Sequence, residues 1–522
     1  MDEKREIWLL HRNLFSVVKE SDGPRSGTVC LKYKDLRSFQ LDIIGPDKLA
    51  ALSITLELLS EVENPAISYP FFYSPGFKAL GDGWCLFRPE EELTVLMSAQ
   101  GEEGAWRMSK ANSEFQLSDS YGRLVLVPSL ISDSQLEGCA RHRQKGRFPV
   151  LSCLHKDVPL VRGSQVVAPG KRNSEDEKML AAIIGDRKRG FILDLVEKIS
   201  SGKPSELDCG YPAWKRVLTK VPSLTDLKES LAGVSSACND PYSDKWLSRL
   251  ANTKWLSYVK EVLNTACVAA QCLEQDQVPV LLVEDGGSDL SLVVSSLTQI
   301  ILNPDTRTLH GMEALVEREW VQAGHPFWTR HGPAKDLKQG SGNQAPVFLL
   351  FLDCVHQIFT QFPCSFEFTE SLLVVLADHS LASSFGTFLC DSERERSELG
   401  VKEHTVSLWS YLNQVEILSQ HLNCLYLPNK SVIWPSVAPM SLCLWEAYFL
   451  RWVQTTTVTN RAKEQKKMEE IVQRNKDAQS VALKLRKELK ELMEEAVELG
   501  ILTKEEKEDS DQNEEEKVLE NF

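Results

Sequence analysis

The residues best placed to do chemistry lie in one short loop near the middle of the chain. Val280 to Val283 is an apolar run typical of a buried strand, and Leu290 to Leu302 is apolar at helical spacing. Glu284 to Asp289, which contains two glycines, must then form the turn between them. A strand, a glycine loop and a helix place backbone N–H groups at the positive end of the helix, where a phosphate or a thiolate nucleophile would be stabilised.

Other chemistry is open to the same loop. Glu284, Asp285 and Asp289 could hold a hard cation, but they lack the ligand spacing of a calcium loop, and a solvated acidic turn is the favoured interpretation. Gly286 to Leu290 nearly matches the hydrolase elbow G-x-S-x-G, but its last glycine is missing and no partner histidine can be assigned. The phosphate-binding pattern G-x-x-x-x-G-K-[ST] is absent here. We predict neither a metal nor a cofactor.

This loop resembles the active-site loop of the myotubularin family of phosphoinositide phosphatases, V-H-C-S-D-G-W-D-R-T. Aligned without gaps, Val283 stands at the histidine, Glu284 at the nucleophilic cysteine and Leu290 at the phosphate-binding arginine. Only Gly287 and Asp289 keep the family's residue. The resemblance implies a loop without nucleophile or guanidinium, whose carboxylates would each repel an incoming anion by about 1 kcal/mol or more. We therefore predict no catalytic residue.

Segments similar to this family continue from Tyr69 to about Arg451. The resemblance implies an α/β domain of the cysteine-phosphatase type over residues 66–455. The sequence from Ala323 to Phe327 resembles that of the family's inactive branch. It also implies that His325 and Asp353 support the fold. A solvated loop is favoured over contact with a lipid headgroup for four bases, Arg141, Arg143, Lys145 and Arg147. Gly202 to Pro204 and Cys209 to Tyr211 lie in a shortened segment, which indicates a remodelled pocket wall.

The first 65 residues read as an antiparallel meander followed by an amphipathic helix from Pro46 to Val62. This pattern resembles the end of the PH-like GRAM β-domain that precedes the phosphatase domain in the family, so the domain is expected to be truncated. A shortened isoform or gene model is the favoured explanation, and a partner covering the open strand edge is the alternative. Only weak or indirect contact with phosphoinositide membranes is expected.

Apolar residues step by three and four near the carboxyl terminus, which predicts a coiled coil over residues 461–500. The partner-binding seam comprises Met468, Ile471, Asn475, Ala478, Ala482, Leu485, Leu489, Leu492, Ala496 and Leu499. Asn475 would fix register at a cost in stability, and the alanines weaken homotypic pairing, which leaves room for a better-matched partner. The family resemblance implies a heterodimer with an active myotubularin-related phosphatase, with a homodimer as the alternative.

Composition and charge limit the classes of protein and of partner that suit this chain. The 522 residues are 42% hydrophobic and 25% charged, as in ordinary globular proteins, and the thirteen cysteines are scattered singly, as expected for reduced thiols. The formal net charge is −15, and the twelve acids and three bases from Glu494 to Phe522 predict an acidic, disordered tail over residues 501–522. Nucleic acid is an unsuitable partner for such a chain. We expect a cytoplasmic protein, peripheral on endosomal or other endomembranes through its partner.

These observations predict a catalytically inactive phosphoinositide 3-phosphatase homologue. It would act as a regulatory or adaptor subunit that heterodimerises with active relatives and modulates their activity on PtdIns3P and PtdIns(3,5)P2. Two alternatives remain open, a metal-assisted hydrolase that uses the acidic loop and a coiled-coil scaffold for trafficking proteins.

Overall fold

The computed structural model describes residues 10–21, 26–60, 64–78, 81–98, 104–168, 170–197, 211–331 and 344–453, together with Leu492. The chain forms two units, Met1–Trp452 and Val453–Phe522. The predicted seam falls in the second unit, and Leu492 is the one residue of the seam that the structure describes; it is helical, with 61% of its surface exposed. The rest of the seam, the acidic tail and the segment from Gly202 to Cys209 lie outside the described residues.

Three antiparallel strands open the first unit in the order β1-β2-β3, namely β1 (Leu14–Ser21), β2 (Ser26–Tyr33) and β3 (Ser38–Ile44). Helix α1 (Pro46–Ser60) follows them. Leu49 and Leu56 of this helix pack on a small apolar core that includes Val29 and Leu31 of the sheet. The predicted meander and its closing helix are therefore confirmed.

A five-stranded sheet carries the loop that contains Glu284. A short antiparallel pair precedes it, β4 (Trp106–Ser109) with β5 (Val125–Pro128). The sheet has the order β6-β7-β10-β8-β9 and is built from β6 (Val150–His155), β7 (Val158–Ser164), β8 (Gly190–Val196), β9 (Trp214–Lys220) and β10 (Val280–Glu284). Strand β10 is central and parallel to both neighbours, β7 and β8, whereas β6 is antiparallel. The carboxyl ends of β7, β8 and β10 therefore meet at one edge, where ligands bind in α/β sheets.

Alternation along β10 explains why it lies between two layers of helices. Val280 and Leu282 belong to the core on one face of the sheet, and Leu281 and Val283 belong to the core on the other face. Successive side chains of a strand point to opposite faces, so a strand covered on both sides is apolar throughout.

Helices cover both faces of this sheet. Between residues 89 and 316 the helices of the domain are α2 (Pro89–Ser98), α3 (Asp133–His142), α4 (Ser174–Ile184), α5 (Leu224–Cys238), α6 (Trp246–Asn252), α7 (Trp255–Glu274), α8 (Leu290–Leu302) and α9 (Leu309–Val316). A π-helical turn, Glu317–Gln322, extends α9. The later helices are Phe327–Arg330, Val347–Gln361, Glu370–Leu381, Glu393–Glu398, Val401–His404, Leu408–Leu412, Val415–His421 and Glu446–Phe449.

Helix α8 is buried along its whole length, which fits an apolar helix in the centre of a domain. Asp353 lies in the same core, where it accepts a hydrogen bond from Trp255 Nε1 at 2.6 Å, and this contact supports its predicted structural role. Within the described residues, no helix combines the length and the apolar character needed to cross a membrane.

Candidate functional site

The carboxylate of Glu284 caps the helix that follows the loop. Glu284 is the last residue of β10, and its side chain turns back over the N-terminus of α8. The N–H of Asp289 donates to Oε2 at 3.2 Å, and the N–H of Leu290 donates to Oε1 at 2.9 Å. Ser291 donates to Oε2 twice, from its N–H at 3.0 Å and from Oγ at 2.8 Å. These three N–H groups form an anion cradle, and the carboxylate occupies the place where they would hold an anionic ligand.

Asp289 stands at the usual capping position of α8 but makes no capping hydrogen bond. Its carboxylate is held instead by the guanidinium of Arg330, with Nε at 2.7 Å from Oδ1 and Nη2 at 2.6 Å from Oδ2. Asp289 is 4% exposed and Arg330 is 8% exposed, so this is a buried bidentate ion pair. Asp289 thus serves to fasten the loop to the helix Phe327–Arg330, and Glu284 takes over the cap.

The two carboxylates of the loop differ in their electrostatics. Burial and the nearby charge of Asp289 raise the pKa of Glu284, and the donors of Leu290 and Ser291 oppose that rise. Burial also opposes ionisation of Asp289, but the hydrogen bonds and charge of Arg330 hold its pKa below the ordinary value. Asp289 is therefore the fixed anion of the pair, and Glu284 is the group whose charge the cradle must stabilise.

The shape of the loop depends on Gly287 and His325. Gly287 has a φ of +66°, and a Cβ there would lie 3.2 Å from the carbonyl of Gly163 at the end of β7, so only glycine suits this position. His325 is fully buried and its Nδ1 lies 2.9 Å from the carbonyl oxygen of Ser288. Burial lowers the pKa of His325 to about 4, so the ring is neutral near pH 7 and its Nδ1–H donates to that carbonyl. His325 positions the loop, in agreement with its predicted structural role.

The expectation of a solvated acidic turn is wrong for two of its three carboxylates. Only Asp285 is exposed, where it accepts a hydrogen bond from Gln144 Nε2 at 3.2 Å. Glu284 and Asp289 point inward because N–H groups and a guanidinium are available there. These contacts also oppose the metal-site alternative, since both carboxylates already face donors. Within the described part of the chain, no group of three or more His, Cys, Asp or Glu side chains is placed to hold a metal ion.

A solvated loop was expected for all four bases before β6, but two of the four are buried. Arg143 is buried and makes a bidentate pair with Asp176, at 2.8 and 2.7 Å. Arg147 is also buried, and its guanidinium carbon lies 4.2 Å from the centre of the Tyr121 ring. Burial lowers the pKa of Arg147 to about 10.

Of these four bases only Arg141 and Lys145 are exposed, whereas exposure was predicted for all four. A Cβ added at Gly286 would lie 3.4 Å from Lys145 Nζ, so this ammonium group sits beside the mouth of the loop.

Sequence reasoning missed two cationic neighbours of the loop, Arg330 and Lys145. Arg330 lies 41 positions after Asp289, and no spacing rule connects them. The remaining predicted site residues, Val283 and Leu290, are both buried in the core, and Leu290 is 3% exposed. Leu290 therefore contributes only its backbone N–H to the cradle.

The arrangement has donors for an anion but no open place for one. The hydroxyl of Ser291 faces the cradle but donates to the Glu284 carboxylate, and the N–H groups of Asp289, Leu290 and Ser291 are already paired with the same carboxylate. The central parallel strand, the glycine loop and the buried helix define a domain of mixed α/β fold with an anion-binding type of loop at the carboxyl edge of its sheet.

Comparison with known proteins identifies the family. The myotubularin-like phosphatase domain matches residues 68–397. The chain is 43% identical to human myotubularin-related protein 9 over 503 residues, which cover 94% of this chain and 90% of the relative. Myotubularin-related protein 9 of Caenorhabditis elegans is 37% identical over 473 residues, covering 86% and 82%. A mouse protein named phosphatidylinositol-3,5-bisphosphate 3-phosphatase MTMR2 is 32% identical over 441 residues, covering 81% and 67%. The chain therefore belongs to the myotubularin family.

Proposed function

We propose that this chain is a catalytically inactive phosphoinositide 3-phosphatase homologue that works as a regulatory or adaptor subunit. It would bind an active myotubularin-related phosphatase through its coiled coil and modulate the activity of that enzyme on PtdIns3P and PtdIns(3,5)P2. The observation that carries the proposal is the carboxylate of Glu284, which fills the anion cradle of the loop.

Inactivity follows from competition within the loop. A phosphate ester would have to displace a carboxylate that is tethered to the loop and held by four hydrogen bonds. A tethered group acts at a very high effective concentration, so a free ligand competes poorly with it. Even after displacement, the position that the family fills with arginine holds Leu290, which is buried and offers no side-chain donor.

Partner binding is the function that remains for such a domain. The predicted seam from Met468 to Leu499 supports a helical partner, and its weak alanine positions favour a partner other than a second copy. The mouse relative is named as a 3-phosphatase of phosphatidylinositol 3,5-bisphosphate, which supports the substrate class of the enzyme to be regulated. Residues 1–65 would be a partial GRAM domain, and endomembrane localisation would come through the partner.

Co-purification tests this proposal. The full chain should co-purify with the mouse 3-phosphatase when the two are co-expressed, and a deletion of Met468 to Gly500 should abolish the complex. Leu485→Asp should act like the deletion, because it places a charge in the seam. Lys487→Asp, at a position that the predicted heptad places away from the seam, is the matched control and should leave the complex intact. Retention of the complex by the deletion and by Leu485→Asp would refute the proposed interface.

A further inference from the structure

A cavity of about 200 Å³ lies between the small sheet and the phosphatase-like domain, and one of its lining residues, Arg330, pairs with Asp289 of the loop. Tyr33 and Leu36 line it from the sheet, Leu231 lines it from α5, and Leu349 lines it from the helix Val347–Gln361. The volume is below the range of roughly 300–1,000 Å³ that is typical of drug-sized ligands. These walls fit a compact ligand with an apolar part.

Positive charge dominates the polar part of this cavity. The side chains of five cations line it, and no Asp or Glu occurs among its described lining residues; the cations are Lys32, Lys34, Arg37, Lys228 and Arg330. Two of them are already paired, because Arg37 binds Asp35 and Arg330 binds Asp289. The described walls therefore supply an excess of cations.

Lys34 has no carboxylate partner among the described residues. Its ammonium group donates to the carbonyl oxygen of His331, which is a neutral acceptor. Burial and, as the smaller cause, the charge of Arg12 lower the pKa of Lys34 to about 7. An ammonium group that is partly removed from water is unfavourable unless an anion or several acceptors compensate for the lost hydration. The site is therefore electrostatically incomplete without an anion.

Two further features point into the same region. His331 is 9% exposed, and its Nε2 atom has no hydrogen-bond partner among the described residues. The helix Val347–Gln361 begins at the cavity wall, where Ala345 and Pro346 line the space. The N-terminus of a helix of this length adds partial positive charge.

We propose that this cavity binds a small anionic amphiphile, with a carboxylate or phosphate at Lys34 and a short apolar chain against Leu231 and Leu349. The anionic head supplies the charge that Lys34 lacks, and the chain covers the apolar wall. The ligand would bind as a single molecule, with the far end of a longer chain leaving over the exposed rim at Ala232, so the site differs from a surface that recognises the headgroup of a lipid within a bilayer.

Isothermal titration of the full chain with decyl phosphate, below its micelle concentration, tests the site. Binding of decyl phosphate is expected, and inorganic phosphate and decanol should each bind at least about tenfold more weakly, because each retains only half of the contacts. Vesicles of phosphatidylcholine that contain an anionic lipid distinguish the two sources of the headgroup. Binding to these vesicles without binding to monomeric decyl phosphate would overturn the proposal.

Three variants distinguish binding of the ligand's anionic head from binding of its apolar chain. Lys34→Met should weaken decyl phosphate at least about tenfold, and Ala232→Phe, at the exposed rim of the cavity, should block entry of the chain. Lys19→Met changes an exposed lysine of the same sheet outside the cavity and should leave affinity unchanged.

The melting temperature without ligand guards against a folding artefact. Lys34→Met should melt at or above the wild-type temperature, because the substitution removes a partly buried charge that has no carboxylate partner among the described residues. The proposal is overturned if the wild-type chain does not bind decyl phosphate, or if Lys34→Met binds it as tightly as the wild type.

Discussion

Replacing Glu284 by alanine should convert the closed loop into an anion site. The wild-type carboxylate accepts N–H hydrogen bonds from Asp289, Leu290 and Ser291 at 3.2, 2.9 and 3.0 Å. Its removal leaves these three donors pointing at an empty place on the N-terminus of α8. Lys145 lies beside the same mouth and would add attraction for an anion.

The size of the effect follows from these contacts. A hydrogen bond to a charged group contributes about 1.5–3 kcal/mol, but water can reach the partly exposed position of Glu284, so we expect Glu284→Ala to lose about 2–4 kcal/mol of unfolding free energy in total. Three charge-assisted bonds to a free oxyanion, less the cost of association, correspond to a Kd on the order of 1 mM. When the oxyanion is present at ten times this Kd, its binding raises the unfolding free energy of Glu284→Ala by about 1.4 kcal/mol.

Thermal melting in sodium tungstate or phosphate, against chloride at equal ionic strength, measures this gain. The oxyanion should raise the melting temperature of Glu284→Ala by roughly 2 °C more than that of the wild type, as about 1.4 kcal/mol implies for a large domain. Asp285→Ala is the matched control, because it removes an exposed carboxylate of the same loop without opening the cradle. Equal responses of the wild type and Glu284→Ala would refute the reasoning that the carboxylate closes the site.

Three further predictions concern the surroundings of the loop. Asp289→Ala should cost about 3–5 kcal/mol in urea denaturation, because it leaves the buried guanidinium of Arg330 without its carboxylate; a loss below about 1 kcal/mol would contradict the buried pair. Leu290→Arg, which restores the family's residue, should destabilise the fold by several kcal/mol, because Leu290 packs in the core; a stable variant would show that this side chain can leave it. His325 has a folded pKa of about 4 against 6.5 when unfolded, so neutral His325 contributes stability that is present above about pH 6.5 and is lost, by about 3 kcal/mol, as the pH falls to 4. Unfolding free energies at several pH values should show this loss, and between pH 6.5 and 4 a His325→Gln variant should lose about 3 kcal/mol less than the wild type.

The backbone around the loop could be predicted from sequence because its signals are local. The apolar run from Val280 and the helical spacing from Leu290 to Leu302 gave the strand and the helix, and the structure has them at Val280–Glu284 and Leu290–Leu302. The N-terminal helix predicted from Pro46 ends at Ser60, close to the predicted Val62.

Side-chain directions in the site could not be predicted. Capping rules connect residues up to about three positions apart, whereas Glu284 reaches the N–H of Ser291 seven positions later. Asp289 would have been the expected cap, but Arg330 arrives from a distant helix and takes its carboxylate. The same limit explains the error on the bases, since Arg143 is buried only because Asp176 lies opposite it on α4.

Phosphate release from PtdIns(3,5)P2 by the purified chain tests the central claim most directly. The chain would be made in bacteria so that no active relative accompanies it, and the mouse 3-phosphatase would serve as the positive control. The closed cradle predicts release at the level of the buffer blank for the wild type. Glu284→Ala should also stay at the blank, because its opened loop still has Leu290 in place of a phosphate-binding arginine and gains no nucleophile. Release that rises in proportion to the amount of wild-type chain would contradict the account.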